Sequence, residues 1–345
     1  MGEHLIIRAD GGPQIGTGHV MRCLALAQAW QDAGWDATFA MALEAPALER
    51  RLKSESVGLI YISAKAGSTD DAVETVDLAR KYHAPWIILD GYHFNSEYQR
   101  IIKGSGLRFV IIDDDGRADH YYADVVVNQN LHSGEGLYRN RESYTQLLLG
   151  VRYVLLRREF GKWREWEREI QRLASNILVT LGGADPQNNS IKVLEALQRA
   201  NLPRLNVALV VGGSNPHMQR LERELLRTRV AVRLVRNVTD MAELMAWADV
   251  AVSTAGSTVW ELAFMGVPTV VGISSIIEEL LVSGLEEYGL FLSVGWLNRL
   301  SVDELAEAVN YLIRDESARR HMSALGRHLV NTAGCTNVVR YLLTH

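Results

Sequence analysis

Short, wholly apolar runs alternate with longer amphipathic stretches along the whole chain, and near residue 174 the alternation starts over. In the first series the apolar runs fall at 5–7, 37–40, 59–62, 86–89, 109–112 and 125–127. Helical stretches at 19–33, 46–52, 70–81 and 96–103 separate them. Strands apolar on both faces and spaced by helices predict βαβ units and a parallel sheet covered on both sides. The second series repeats the pattern, with strands at 177–181, 207–211, 232–235, 250–253 and 269–272 and helices at 189–199, 218–227, 241–246 and 257–264. The predicted fold class is α/β, with two Rossmann-like domains, 1–158 and 174–330, facing a cleft. The charged, tryptophan-bearing stretch 159–173 is expected to be a surface helix leading into the passage between them. A C-terminal helix, 331–345, is expected to cross back onto the first domain.

Length agrees with this division, because 345 residues exceed the roughly 250–300 at which a single core stops growing. Lys and Arg number 36 against 41 Asp and Glu, a net charge of −5. That mild acidic excess argues against a nucleic-acid platform but leaves room for a local phosphate pocket. Two cysteines, Cys23 and Cys335, make no disulfide framework and no CxxC pair. The first ten residues lack the basic and apolar regions of a signal peptide, and no run of about 18 apolar residues occurs. The expectation is a cytoplasmic protein with no membrane partner.

In doubly wound sheets ligands bind beyond the carboxyl ends of the strands, and the glycine-rich segments fall there. The first, Arg8 to Arg22, follows a strand and opens a helix. Gly16 and Gly18 permit close backbone approach to a ligand, and the helix start favours an anion. The spacing is not GxGxxG, which disfavours a dinucleotide cofactor. His19 stands at the helix entrance, where the dipole favours a neutral, basic imidazole; a general base and a cap or phosphate ligand are both open readings. Arg22 is a ligand contact or a buried counterion, and Asp10 a loop hydrogen-bond partner. The next strand end, Asp90-Gly91-Tyr92, places Tyr92 to bond a sugar, pin the histidine or simply pack. Asp113, Asp114 and Asp115 crowd three carboxylates, but acidic turns are common and no metal is expected. In the second series Gly182 and Gly183 repeat the strand–glycine–helix arrangement. Gly256, Ser257 and Thr258 bring N–H and hydroxyl donors to another helix start, with Glu261 placed to accept ribose hydroxyls or to act as a capping acid.

Together IGTGHVMRCLALA, LDGYHF, TLGGADPQN and GSTVWELAFMGVP resemble the UDP-2,4-diacetamido-2,4,6-trideoxy-β-L-altropyranose hydrolases of pseudaminic acid biosynthesis, over nearly the whole chain. That family is related to glycosyltransferases of the GT-B architecture. The resemblance implies His19 as the base that activates water and Tyr92 as a residue positioning sugar or water. It implies Gly256, Ser257 and Thr258 on the diphosphate, Glu261 on the ribose, and the 237–241 segment, with Val238 and Met241, on uracil. The implied reaction is metal-free, cofactor-free hydrolysis of a UDP-sugar with inversion. One departure stands out: Ile277 and Glu278 occupy the places where the family usually carries Asn and Gln. A buried hydrogen bond lost this way costs about 1–3 kcal/mol. A UDP-sugar glycosyltransferase of the same architecture and a non-catalytic nucleotide-sugar binding protein are the alternatives.

Overall fold

In the computed structural model, which describes residues 4–345 apart from 14, 201–204, 214, 237 and 287, the chain divides into two compact units. The first comprises residues 1–158 and 332–345, the second residues 159–331. Its elements in order are β1 (His4–Ala9), α1 (Gly18–Asp32), β2 (Asp36–Met41), α2 (Pro46–Ser54), β3 (Gly58–Tyr61), α3 (Thr69–Lys81), β4 (Trp86–Asp90), α4 (Ser96–Gly104), β5 (Arg108–Ile112), β6 (Val125–Asn128) and β7 (Gln146–Leu149). The sheet order is β3-β2-β1-β4-β5-β6-β7, with every pairing parallel. Alternate residues feed opposite faces, as the pleat requires. Leu5, Ile7, Trp86 and Ile88 join the α1 side of the core, whereas Ile6, Ile87 and Leu89 pack with Val76 and Tyr98 from α3 and α4. The strand order reverses between β1 and β4, so their carboxyl ends open the crevice where such a sheet takes a ligand.

The second unit runs β8 (Asn176–Thr180), α5 (Asn189–Arg199), β9 (Asn206–Val211), α6 (Met218–Leu225), β10 (Ala231–Arg236), α7 (Met241–Trp247), β11 (Val250–Thr254), α8 (Thr258–Phe264), β12 (Thr269–Ile273), α9 (Ile276–Glu286), β13 (Leu292–Trp296), α10 (Val302–Arg314) and α11 (Glu316–Leu329). Its parallel sheet is ordered β10-β9-β8-β11-β12-β13, reversing between β8 and β11. Helix ends follow side-chain chemistry. Ser301 and Glu304 form a reciprocal capping box on α10, and Asp315 caps α11.

The last helix, α12 (Gly334–Thr344), belongs to the first unit. Cys335, Val338, Val339 and Leu342 enter the core beside α1, and Trp86 Nε1 donates to the Leu342 carbonyl at 2.9 Å. A Cβ on Gly334 would lie 2.0 Å from the Val154 carbonyl oxygen, so this close docking requires glycine.

Stretch 159–173 is not the surface helix its composition predicts. A 3-10 turn covers Arg158–Trp163, and the rest is irregular backbone. Arginine side chains replace the missing helical hydrogen bonds. Arg327 donates to the carbonyls of Trp163, Arg164 and Trp166, and Arg319 to those of Gln171 and Arg172. No helix among the described residues is long and apolar enough to cross a membrane.

Candidate active site

The β1–β4 register places Ala9 beside Asp90, the last residue of β4, and both segments after these strands turn over the same crevice. Gly12 and Gly16 close the first of these loops by exchanging two 2.8 Å backbone bonds, with Gly16 at φ +74°, a conformation that favours glycine. Gly16 therefore spends its N–H inside the loop. Gly18 begins α1, whose N-cap residue, Thr17, supplies no side-chain bond and whose first turn carries no acid. His19 is the second residue of α1 and Arg22 lies one turn on, on the same side.

Their meeting point is Asp90, which is wholly buried. His19 Nδ1 lies 2.7 Å from Asp90 Oδ1, and Arg22 donates through Nε and Nη2 to the two oxygens at 2.6 and 2.7 Å. Arg22 Nη1 reaches both oxygens of Asp114, at 2.8 and 3.0 Å. Arg22 Nη2 also approaches His19 Nδ1 at 3.3 Å, but one nitrogen cannot both donate to Asp90 and accept from Arg22. The shorter, charge-assisted bond decides, so Nδ1 carries the proton and Nε2 the lone pair. Nε2 has no hydrogen-bond partner among the described residues, and the side chain keeps 10% of its surface exposed. Burial works against the charge of Asp90, yet the Arg22 guanidinium and the His19 ring outweigh it and hold the carboxyl far below the usual range. Burial likewise opposes the charge on Arg22; Asp114 and Asp90 overcome it. Tyr92, 40% exposed, sets its ring edge-on to His19 at 4.7 Å and extends its hydroxyl toward Asp114 Oδ2 at 3.4 Å. Arg22 is thus a counterion that braces the His19–Asp90 pair; its guanidinium is committed to protein carboxylates, which replaces the ligand contact expected for it.

A second buried network lies beside the first. Arg8 grips Asp71 through two 2.9 Å bonds and Asp10 through one of 2.7 Å. Asp10 also accepts from the Ala42 N–H at 2.7 Å, as the loop partner its position predicted. Burial would raise the Asp10 pKa, but His93 and Arg8 bring it down to about 2. A carboxyl with a depressed folded pKa contributes stability that is present above its unfolded pKa and lost as pH falls through the folded value. Asp10, Asp90 and Asp114 all behave this way. Asp113, pushed up by burial, works in the opposite sense. Urea unfolding across pH 2–6 should therefore show stability falling below about pH 4, with Asp10 alone responsible for about 2 kcal/mol. A flat profile over that range would contradict the arrangement.

The three consecutive aspartates do not gather around a shared point. Asp113 accepts from the Tyr121 hydroxyl at 2.7 Å and from the backbone of Asp115 and Gly116. Asp114 is held by Arg22 and by Asn130 at 3.0 Å, and Asp115 pairs with Arg117. Each carboxylate is taken by the protein's own donors.

In the second unit the loops after β8 and β11 occupy the corresponding switch point. Gly182 has φ +79°, and Gly183 lies against the backbone of Gly212 so closely that a Cβ there would meet the Gly183 oxygen at 2.2 Å. The start of α5 is already occupied: Asp185 accepts from the N–H groups of Asn189 and Ser190 at 2.8 and 2.9 Å. An anion expected at that helix start would have to displace a carboxylate; the side-chain amide of Asn188 in the same loop is buried with no hydrogen-bond partner among the described residues. At α8, by contrast, Ser257 supplies no side-chain cap, Gly256, Ser257 and Thr258 are half-buried, and Glu261 is buried in the first turn. Val238 is half-buried and Met241 buried; Asn237, like Gln14 of the first loop, lies outside the described residues. Glu278 turns back on its own helix start, accepting from the Ser274 N–H and hydroxyl at 2.6 and 2.7 Å. Burial raises its pKa against the lowering effect of these Ser274 bonds.

Sequence reasoning named Asp90 and Asp114 without assigning them to His19, and passed over Asn130. Only a strand-final acid followed by Gly-Tyr hinted at the first.

Two parallel α/β units, each with its loops at a switch point, give the chain the two-Rossmann-like GT-B architecture. Residues 176–276 match the glycosyltransferase family 28 C-terminal domain. The chain is similar to the UDP-2,4-diacetamido-2,4,6-trideoxy-β-L-altropyranose hydrolase of Campylobacter jejuni, at 24% identity over 74% of this chain and 86% of that protein. It is also 26% identical to an uncharacterised protein of Methanocaldococcus jannaschii over 77% of this chain, a match that spans 55% of that relative's length. Among solved structures, the S. aureus MnaA–UDP co-structure superposes with a TM-score of 0.71 at 14% identity, covering 100% of this chain and 97% of that one.

Proposed function

We propose that the chain hydrolyses a UDP-linked 2,4-diacetamido-2,4,6-trideoxy sugar at its anomeric carbon, with inversion and without a metal or cofactor. The observation that carries this reading is the 2.7 Å bond from His19 Nδ1 to buried Asp90, which leaves Nε2 as a proton acceptor. In the proposed step Nε2 takes a proton from water as the water oxygen bonds to the anomeric carbon. The carbon–oxygen bond to the β-phosphate breaks, and its electron pair leaves with UDP. Asp90 and Asp114, held charged by Arg22, stabilise the imidazolium that forms. Tyr92 positions the sugar or the water, and Gly18 allows close approach at the start of α1.

The second unit supplies the nucleotide contacts in this reading: Gly182, Gly183, Gly256, Ser257 and Thr258 for the diphosphate, Glu261 for the ribose, Val238 and Met241 for uracil. Backbone and hydroxyl donors stabilise the leaving-group charge. Similarity to a hydrolase and to the fold of a UDP-bound protein supports the substrate class.

The match to a glycosyltransferase domain favours a second reading, in which His19 deprotonates an acceptor hydroxyl. Incubation with a panel of UDP-sugars, followed by NMR of the product anomer, separates the two. Free sugar of inverted configuration, formed equally with a chelator present, is the expected result. Inertness without an acceptor would favour transfer, and binding without turnover a non-catalytic role.

A further inference from the structure

Three neighbouring strand ends of the first unit carry one connected polar chain. Asp90 ends β4, Asp114 follows β5, and His132 lies in the loop that follows β6. His132 Nε2 lies 2.9 Å from the backbone carbonyl of Asp114, the residue whose carboxylate meets Arg22 and Tyr92. A carbonyl oxygen can only accept, so Nε2 bears a proton, and with Nε2 donating, Nδ1 is the ring nitrogen left to accept in the imidazole form. Nδ1 is buried and has no hydrogen-bond partner among the described residues; neither has the hydroxyl of the adjoining Ser133. Both residues are only half-buried, so these atoms lie just beneath a surface loop.

The loop is held in place. Asn130 donates to Asp114 at 3.0 Å, and Gly116, at φ +70°, packs so tightly that a Cβ would meet the Leu137 carbonyl at 2.7 Å. Buried polar atoms without partners are uncommon, and two adjacent ones on a braced loop mark a place where an incoming group completes the bonding.

We propose that His132 and Ser133 form a sugar-reading subsite, in which His132 Nδ1 accepts from an N–H or O–H of the substrate sugar and Ser133 Oγ bonds a neighbouring polar group. This rests on the UDP-sugar reading above and extends it. An acetamido sugar offers amide N–H groups as well as hydroxyls, and the subsite would select for such donors.

The two ends of the imidazole can be tested separately. His132→Gln can keep a donor for the Asp114 carbonyl but removes the acceptor at the Nδ1 position, whereas His132→Asn places an amide oxygen where Nδ1 was. With the UDP-diacetamido-trideoxy sugar as probe, His132→Gln is expected to raise KM roughly tenfold, with the inhibition constant of UDP alone unchanged. His132→Asn should recover most of that loss, and Ser133→Ala should raise KM in the same direction. Unfolding midpoints measured alongside separate lost recognition from lost folding. A wild-type KM in both His132→Gln and Ser133→Ala overturns the subsite while leaving the hydrolase reading intact. If the wild-type chain neither binds nor hydrolyses the UDP-sugar, the reading fails and the subsite with it.

Discussion

Asp90→Asn is expected to slow UDP release by about 10²–10⁴-fold while UDP binding stays close to wild type. Asparagine fits the space, but its amide can donate to His19 Nδ1 and so favour the tautomer that carries its proton on Nε2, the atom that the proposed mechanism uses as base. It also removes the negative charge that would stabilise an imidazolium 2.7 Å away. His19→Ala should produce a loss of the same size, and the double variant should be little slower than either single one, because residues acting as a unit are strongly non-additive. Single-turnover UDP release, paired with calorimetric UDP binding and run below the unfolding transition of each variant, gives the comparison. Independent, multiplicative losses would mean that Asp90 does not work through His19. A wild-type rate in His19→Ala would remove the base altogether.

The largest expected effect on stability belongs to Arg8→Met. Arg8 is fully buried between Asp71 and Asp10, themselves buried, so removing the cation leaves two buried carboxylates with neutral hydrogen-bond donors but without their shared guanidinium. Breaking a buried ion pair from one side costs about 3–5 kcal/mol, which for a unit of this size lowers the melting midpoint by about 10 °C. Adding Asp71→Asn to Arg8→Met should restore part of the loss, since it removes one of the stranded charges. Urea and thermal unfolding of the three variants measure the coupling. If Arg8→Met unfolds within about 1 kcal/mol of wild type, the network is not the brace described here.

Much of the architecture was legible because β1, β2, β4, β5, β6, β8, β9, β11 and β12 are buried on both faces and therefore spelled in apolar residues. β13 escaped for the converse reason: all of it is only half-buried, and Ser293 and Gly295 interrupt its apolar residues. β7 was passed over although Leu147–Leu149 form a short apolar run after the exposed Gln146. Stretch 159–173 misled because its composition suits a helix, whereas arginines from α11 and from the stretch itself reach its backbone or its neighbours' carbonyls and hold it irregular. Within the site, His19 and Tyr92 were visible through their positions after glycine turns. The role of Arg22 was not: a guanidinium that binds phosphate and one that binds buried aspartates look the same until the neighbours are known.

Order along the chain determined the two parallel sheets and the strand ends where polar residues collect, because burial and backbone conformation depend on residues close in sequence. Which charge meets which was decided only by tertiary folding. Arg22 finds Asp90 and Asp114 across 68 and 92 residues, and Arg8 finds Asp71 across 63. Those pairings, and with them the orientation of the His19 ring, depend on strand register and on the absence of water around buried charges, neither of which a local pattern of residues carries.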